Sequence, residues 1–386
     1  MYTAVVIGAT GAGNYGHDLD LAWQLIPAVE VVAVADLDEE PARAKADQLG
    51  ARQAFGDFRE MLHLVQADFV TVCVRRPHER CEMMLAAIEA GAKGIYCEKP
   101  FVRTPAEADA IVEAAERAGT KIQVAHNWRV DPKVLRMREM VRAGDIGRLV
   151  AMHATGKNDS RRGGAEDLAV LGVHQLDLMR RFAGDPRQLS ANVMQAGRPV
   201  GIQDAREGNE NLGLMAGDQV FATLLFDHGV TGTFSSVRTG RGMHRQMGIE
   251  LVGSDGMLSL RGGPTTGQPL LINRRPELDP GVESNWEAVP VPPLDAEALG
   301  DAEGAADVRQ LLHSTMTRDL IEAVEQDRRP ICDAIDGRWI SEMVMAVHEA
   351  GLSQQTVRFP LKVRENPYAA RRQMALADDQ GRSGLP

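Results

Sequence analysis

Gly8-Ala9-Thr10-Gly11-Ala12-Gly13-Asn14-Tyr15-Gly16 follows directly on a β-branched run ending at Ile7, and Gly11 to Gly16 fits GxGxxG. Glycines at this spacing, just after a strand, let a backbone approach a pyrophosphate over a helix N-terminus. A loop this long before the motif makes Gly8, Gly11 and Gly13 the glycines expected nearest the phosphates, with Asn14 and Tyr15 beside them. The second β-branched run, VEVVAVAD, ends in Asp36 at the separation, about 20 residues, at which a carboxylate accepts from a ribose diol. Asp36, followed by Asp38, would repel a 2′-phosphate, and no Arg follows at once to receive one. The expected cofactor is therefore NAD rather than NADP.

The elements that must position these residues alternate along the first third of the chain. TAVVI, VEVVAVAD, DFVTVCV, KGIYCE and KIQVAH are separated by helical patterns, which predicts a parallel sheet with crossover helices, a Rossmann domain over residues 1–123. Thr104-Pro105-Ala106-Glu107 predicts a capping box, with Pro105 in the first helical position and a helix running to about Gly119. The turn Val74-Arg75-Arg76-Pro77 after the third run should border the cofactor, which makes Arg76 and Pro77 candidate contacts. Asn127 and Arg129 end the fifth run at the switch toward the rest of the chain, where ligands of such sheets collect.

Beyond Arg129 the texture changes. A helix is predicted from about Pro132 to Ala143, followed by GRLVAMHATG, VFATLLF, GVTGTFSSV, GIELVGS and GMLSLRG between Gly and Asp, which are hairpin signals. The expected second domain, 124–364, is α+β with a large open, mainly antiparallel sheet. A loop from Gly262 to Ala305 should wrap its surface, with helices near 306–326 and 336–351 after it. Residues 365–386 show little apolar periodicity and read as a tail or an arm over a neighbouring subunit.

Lys and Arg number 43 against 54 Asp and Glu, a net charge of −11 with no long basic block, so nucleic acid and anionic membrane are poor partners. No apolar run reaches the ~18 residues of a membrane span, and the N-terminus starts a strand at once, which reads as cytoplasmic. Cys73, Cys81, Cys97 and Cys332 form no CxxC pair or His-spaced cluster, so no disulfide framework or metal site is expected.

At Cys97-Glu98-Lys99-Pro100-Phe101, preceded by AAIEAGAKGIY and followed by TPAEADAIVEAAERAG, the chain resembles the glucose–fructose oxidoreductase and inositol dehydrogenase family, Gfo/Idh/MocA. The resemblance extends through Asn127-Trp128-Arg129 and Pro132 to Gly172-Val173-His174-Gln175-Leu176-Asp177, about the first half of the chain. It implies a nicotinamide cofactor between two domains, contacted by Glu98 and Lys99, with Lys99 and His174 as the catalytic pair. It also implies an open sheet that usually forms the subunit interface. Chemistry agrees, because hydride loss from an alcohol carbon needs a base for the hydroxyl proton and a donor for the incipient carbonyl oxygen. A partly desolvated Lys beside a nicotinamide should have a lowered pKa.

The expected substrate is a sugar, polyol or glycoside held by Lys99 and His174. Arg129 and the polar stretch Lys157 to Asp167, with Lys157, Asp159 and Asp167, should complete its pocket. Val170 departs from the family, many members of which carry an Asp there. If Asp167 to His174 is one continuous helix, Asp167 shares a face with His174 but lies about 10 Å along the axis, and it should orient substrate. Retained NAD used for transient oxidation, in glycoside cleavage, elimination or internal redox exchange, is an alternative, as is a non-catalytic NAD-binding regulator. A homodimer or homotetramer is expected, since a sheet face built from runs such as VFATLLF needs a cover.

Overall fold

Val5, Val6, Ile7, Val34, Val70, Val72 and Ile95 are shut away from solvent in the first sheet, which is why their strands read as continuous apolar runs rather than alternating ones. The computed structural model describes residues 1–239, 247–263, 267–274, 285–292 and 305–383. Strands β1 (Tyr2–Ile7), β2 (Val29–Ala35), β3 (Gln53–Phe55), β4 (Phe69–Val72), β5 (Gly94–Cys97) and β6 (Lys121–Val124) pair in parallel in the order β3-β2-β1-β4-β5-β6. The order reverses between β1 and β4, opening a crevice at their C-terminal ends.

The crossover after β1 departs from expectation. In place of a helix opening at the glycine loop there is an Ala9–Asn14 bridge and one 3-10 turn, Leu19–Trp23. Tyr15, Leu19 and Trp23 are buried in the space such a helix would fill. The cover is completed from far along the chain by Ala305–Glu325, whose Ser314 hydroxyl donates to Ala22 O at 2.8 Å. Its Leu312, Met316 and Leu320 join the core of the first sheet, although the expected division places this helix with the second domain.

The capped helix forms over Pro105–Ala118, with Thr104 Oγ1 accepting from Glu107 N at 3.2 Å and Gly119 closing it at φ 73°. Only half of the expected box is present. The Glu107 carboxylate accepts from Arg103 N, one residue earlier than the box requires, and takes the Arg103 guanidinium as well. Pro132–Ala143 is helical as expected, and Asp131 caps it.

Among the described residues the second sheet has ten strands. Nine run in the order Trp286–Ala288, Leu270–Asn273, Met257–Arg261, Gly248–Gly253, Leu149–Thr155, Thr231–Val237, Gln219–Phe226, Pro186–Gln195 and Val357–Arg358. Leu149–Thr155 and Thr231–Val237 pair in parallel, and the other neighbours are antiparallel. Of the expected loop 262–305, residues 264–266, 275–284 and 293–304 lie outside the described residues.

Within Gln219–Phe226, Val220, Ala222, Leu224 and Phe226 are buried while Phe221 and Thr223 are exposed, the period-2 alternation of a half-buried strand. The buried face is covered by the chain's own helices Val173–Ala183 and Ala334–Ser353. A Cβ on Gly351 would come 2.4 Å from Val193 Cγ2, so the second of these helices lies directly on the sheet. This corrects the premise that the face of VFATLLF lacks a cover. Residues 367–383, in the segment expected as a tail or subunit arm, are helical: Tyr368 is buried, Asn366 Nδ2 donates to Leu214 O and Arg371 pairs with Glu349, so the segment starts docked on its own chain. Among the described residues, no helix is long and apolar enough to cross a membrane.

Candidate active site

The glycine loop is held by its own side chains. Gly11 has φ +75° with open space where a Cβ would stand, and Asn14 Oδ1 accepts from its N–H at 3.0 Å. Gly13 has φ +108°, and a Cβ there would meet Arg75 Cβ at 2.8 Å, so only glycine lets the loop approach the turn after β4.

Asp36 follows directly on β2, but it is only 4% exposed and is engaged by protein donors. Its Oδ1 accepts from Thr10 N at 2.8 Å and Leu37 N at 2.6 Å, and its Oδ2 from Thr10 Oγ1 at 2.8 Å and Tyr15 OH at 2.6 Å. Tyr15 turns inward against Gly8, with Lys45 Nζ 4.4 Å over its ring, so its ring fills core. Burial and the Asp36 hydrogen bond push its phenol well above the usual range. Beside these groups a cleft of about 220 Å³ is lined by Gly8, Asp36, Leu37, Gly56, Phe58 and Arg59.

A second cavity, about 370 Å³, lies where the ends of β5 and β6 meet the helix that carries His174. Glu98, Lys99, Asn127, Lys157 and His174 line it, together with His17, Trp128, Arg309 and His313, which sequence reasoning did not single out. Lys99 Nζ donates to Val170 O at 3.1 Å. That carbonyl lies in a π-helical turn, Leu168–Gly172, set between Ala165–Asp167 and Val173–Ala183. Such turns interrupt the i→i+4 ladder and often occur at functional sites. The position without the family's Asp therefore presents its main-chain oxygen to Lys99.

Burial pulls the Lys99 amine down to about 8 against the pull of Glu98, with the Arg75 and Arg80 guanidiniums adding to the fall. Arg80 is itself fully buried and clamps the turns on either side, donating to Val74 O at 2.6 Å, Arg75 O at 3.0 Å and the Pro100 carbonyl. Burial pushes the Glu98 carboxyl up, but His17, Lys99 and Arg80 outweigh it and hold the group below its ordinary range. Glu98 pairs with His17 Nδ1 and accepts from Lys99 N at 2.9 Å.

His174 is stacked on Trp128, with ring centroids 5.0 Å apart and planes at 10°, and meets His126 edge-on at 5.2 Å. Burial, then Lys99 and His126, hold its imidazole well below the usual value, so it is neutral at physiological pH. His174 Nδ1 and both nitrogens of His126 are buried with no hydrogen-bond partner among the described residues. Burial pulls His126 down to about 4.

Several expected contacts point elsewhere. Arg129 is buried, with Nε on Asp177 at 2.9 Å and Nη1 on Asp336 at 2.7 Å, so it ties the turn Asn127–Val130 after β6 to two helices. Asp167 is also buried. Its Oδ2 accepts from Lys157 N at 2.7 Å and Ser236 Oγ at 2.6 Å, and the π turn Leu168–Gly172 breaks the continuous helix expected between it and His174. Asp159 caps its own turn by accepting from Arg162 N at 2.6 Å. Pro77 borders a small apolar cavity with Phe101, Ala169 and Val173, and neither it nor Arg76, which is half-exposed, lines either cleft described above. The residues missed were partly legible: His17 closes the glycine loop, and Arg309 and His313 stand one helical turn apart. Nothing local, however, announced that this distant helix returns to the first sheet.

The oxidoreductase family model with an NAD-binding Rossmann fold matches residues 3–126, and the GFO/IDH/MocA C-terminal domain matches 134–259. D-apiose dehydrogenase of Paraburkholderia graminis is 31% identical over 264 residues, 65% of this chain and 66% of that protein, so the match spans about two thirds of the relative. Inositol 2-dehydrogenase 2 of Saccharopolyspora erythraea is 27% identical over 78% of this chain and 87% of its own length. A crystal structure of an NAD binding oxidoreductase from Klebsiella pneumoniae superposes with a TM-score of 0.73 at 25% identity, covering 94% of this chain and all of that one. With family models matched over residues 3–126 and 134–259 and the fold reproduced over 94% of the chain, the chain belongs to the GFO/IDH/MocA family of NAD-binding oxidoreductases.

Proposed function

We propose that this protein oxidises a hydroxyl-bearing carbon of a sugar, polyol or glycoside, with NAD as hydride acceptor, and that Lys99 and His174 manage the proton. The observation that carries the reading is the pairing of a desolvated Lys99, at about 8, with a neutral buried His174 on the wall of one cavity. An amine with that pKa is partly unprotonated at neutral pH and can take the hydroxyl proton as the carbonyl forms. Neutral His174 holds the same oxygen by a hydrogen bond, its plane fixed by Trp128.

The residues present suit NAD. Gly11 leaves bare backbone at the loop, and the cleft along Gly8 and Asp36 offers room for a nucleoside beside a fixed negative charge. A 2′-phosphate there would face Asp36 as like charge to like charge. Because four protein donors already hold Asp36, a ribose hydroxyl reaches it only by sharing or displacing one of them. When bound, NAD accepts the hydride.

The outward face of the second sheet shows Phe221, 46% exposed, among Thr223, Thr233 and Ser235, and we read it as the surface on which a second copy pairs into a homodimer or homotetramer. NADH formation across a panel of sugars, polyols and glycosides tests the activity. Absorbance rising at 340 nm with wild type and roughly a hundredfold slower with Lys99→Met is expected. Turnover indifferent to Lys99 would overturn the assignment.

A further inference from the structure

We infer that the substrate carries a carboxylate, making it a sugar acid or a related hydroxy acid, and that Lys157 receives that group. The inference rests on the dehydrogenase reading and narrows its substrate class. Over the whole chain acidic residues outnumber basic ones, 54 to 43. Among the described residues, the charged groups lining the 370 Å³ cavity reverse that balance: Lys99, Lys157 and Arg309 against the carboxylate Glu98.

Most of these charges are already matched. Glu98 is taken by His17 and by Lys99 N. Arg309 is anchored by Asp18, 2.8 Å from its Nε. Lys99 donates to Val170 O, and with its amine pulled down to about 8 it is the base of the dehydrogenase reading. Lys157 has no carboxylate partner among the described residues, yet it stands half-buried in the wall. A cation left so in an otherwise acidic protein attracts an anion and is neutralised by one.

The backbone around Lys157 is built to hold it in place. Gly156 passes so close to Asp167 that a Cβ would fall 2.1 Å from Oδ2, and Lys157 N donates to the same carboxylate at 2.7 Å. Asn158 follows at φ +54°, its Oδ1 accepting from Val237 N at 2.7 Å. The main chain is thus pinned on both sides of a residue that lines the cavity. One ammonium, a compact point charge, balances one carboxylate, whereas a phosphate dianion would carry a second negative charge that Lys157 does not match. A carboxylate on Lys157 would leave a hydroxyl of the same molecule to meet Lys99 and His174.

The test compares matched pairs with NAD: D-glucuronate against D-glucose, and D-gluconate against D-glucitol, with D-glucose 6-phosphate as the phosphate arm. The acid of at least one pair should show a kcat/KM ten or more times that of its neutral partner at low ionic strength. Added salt should shrink the gap, Lys157→Met should remove it mainly through KM, and Lys157→Arg should restore part of it. Equal or better use of both neutral partners, preference for the phosphate, or an unchanged acid-to-neutral ratio in Lys157→Met overturns the inference and leaves the dehydrogenase reading standing. If none of the five is oxidised, binding to NADH-loaded protein is followed by tryptophan fluorescence, since Trp128 lines the cavity. Acid binding weakened tenfold in Lys157→Met upholds the inference, and its absence or indifference to Lys157 overturns it. Failure of the wider panel to yield NADH counts against the dehydrogenase reading itself.

Discussion

Two clusters of buried polar groups lie near the switch between the sheets, and pairing separates them. Around Arg129 the buried guanidinium is matched: Asp177 and Asp336 hold it, and Arg180 takes the other oxygen of Asp336. Burial pulls Arg129 down, but Asp177 and Asp336 outweigh it and hold the group well above its ordinary value. Burial likewise raises Asp336, and Arg129 and Arg180 more than reverse the shift. Around Lys99 and His174 compensation is incomplete, so burial wins and both groups lean to their neutral forms. Equal burial therefore yields a structural tie where charges are matched and a proton-handling site where they are not.

The largest expected effect breaks the paired cluster. Asp177→Asn leaves Arg129 short of a buried counter-charge and should lower unfolding free energy by about 3–5 kcal/mol, read by chemical denaturation. A loss below about 1 kcal/mol would show that Asp336 alone suffices. Next, Lys99→Met should cut NADH formation by roughly a hundredfold or more while leaving stability equal or higher, because a desolvated amine is gone. A variant that loses activity only by unfolding would erase the distinction between the clusters.

Asp167→Asn should lie between the two. It weakens the tie from Ser236 to Lys157 N, so stability should fall by about 1–3 kcal/mol and KM should rise through the displaced Lys157. A rise in KM with no loss of stability would restore the view that Asp167 touches substrate directly. The smallest effect concerns His348, buried against Tyr368 with neither nitrogen partnered among the described residues and pulled by burial to about 4. Below the unfolded value of about 6.5 the unfolded chain binds a proton that the folded chain refuses, so stability falls as pH drops through that window toward about 4. His348→Phe should flatten that part of the stability profile, and an unchanged slope would place the acid sensitivity elsewhere.

Much of this was legible in the sequence, for reasons that also mark where it stopped. Strand rhythm, the Thr104 cap and the helix Pro132–Ala143 are local, and they form almost as read. Lys99 and His174 came from motifs and meet in one cavity. Arg129 and Asp167 looked no different from Lys157 as polar residues near a switch point, because what separates them is a partner far along the chain: Asp336 for Arg129, Ser236 for Asp167. The absent helix after the glycine loop was hidden by the same non-locality, since Ala305–Glu325 supplies the missing cover. Nor does spacing reveal a π turn, which depends on how Leu168–Gly172 packs.

The central claim is that an incompletely compensated Lys99 is the base, and the pH dependence of kcat/KM for NAD reduction on one accepted substrate tests it most directly. Wild type should climb with pH and level off above about 8, the value to which burial brings the Lys99 amine, since only the unprotonated amine takes the hydroxyl proton. Lys99→Met should lie roughly a hundredfold or more below it and lack that limb. A Lys99→Met enzyme that keeps both the rate and the limb would contradict the account.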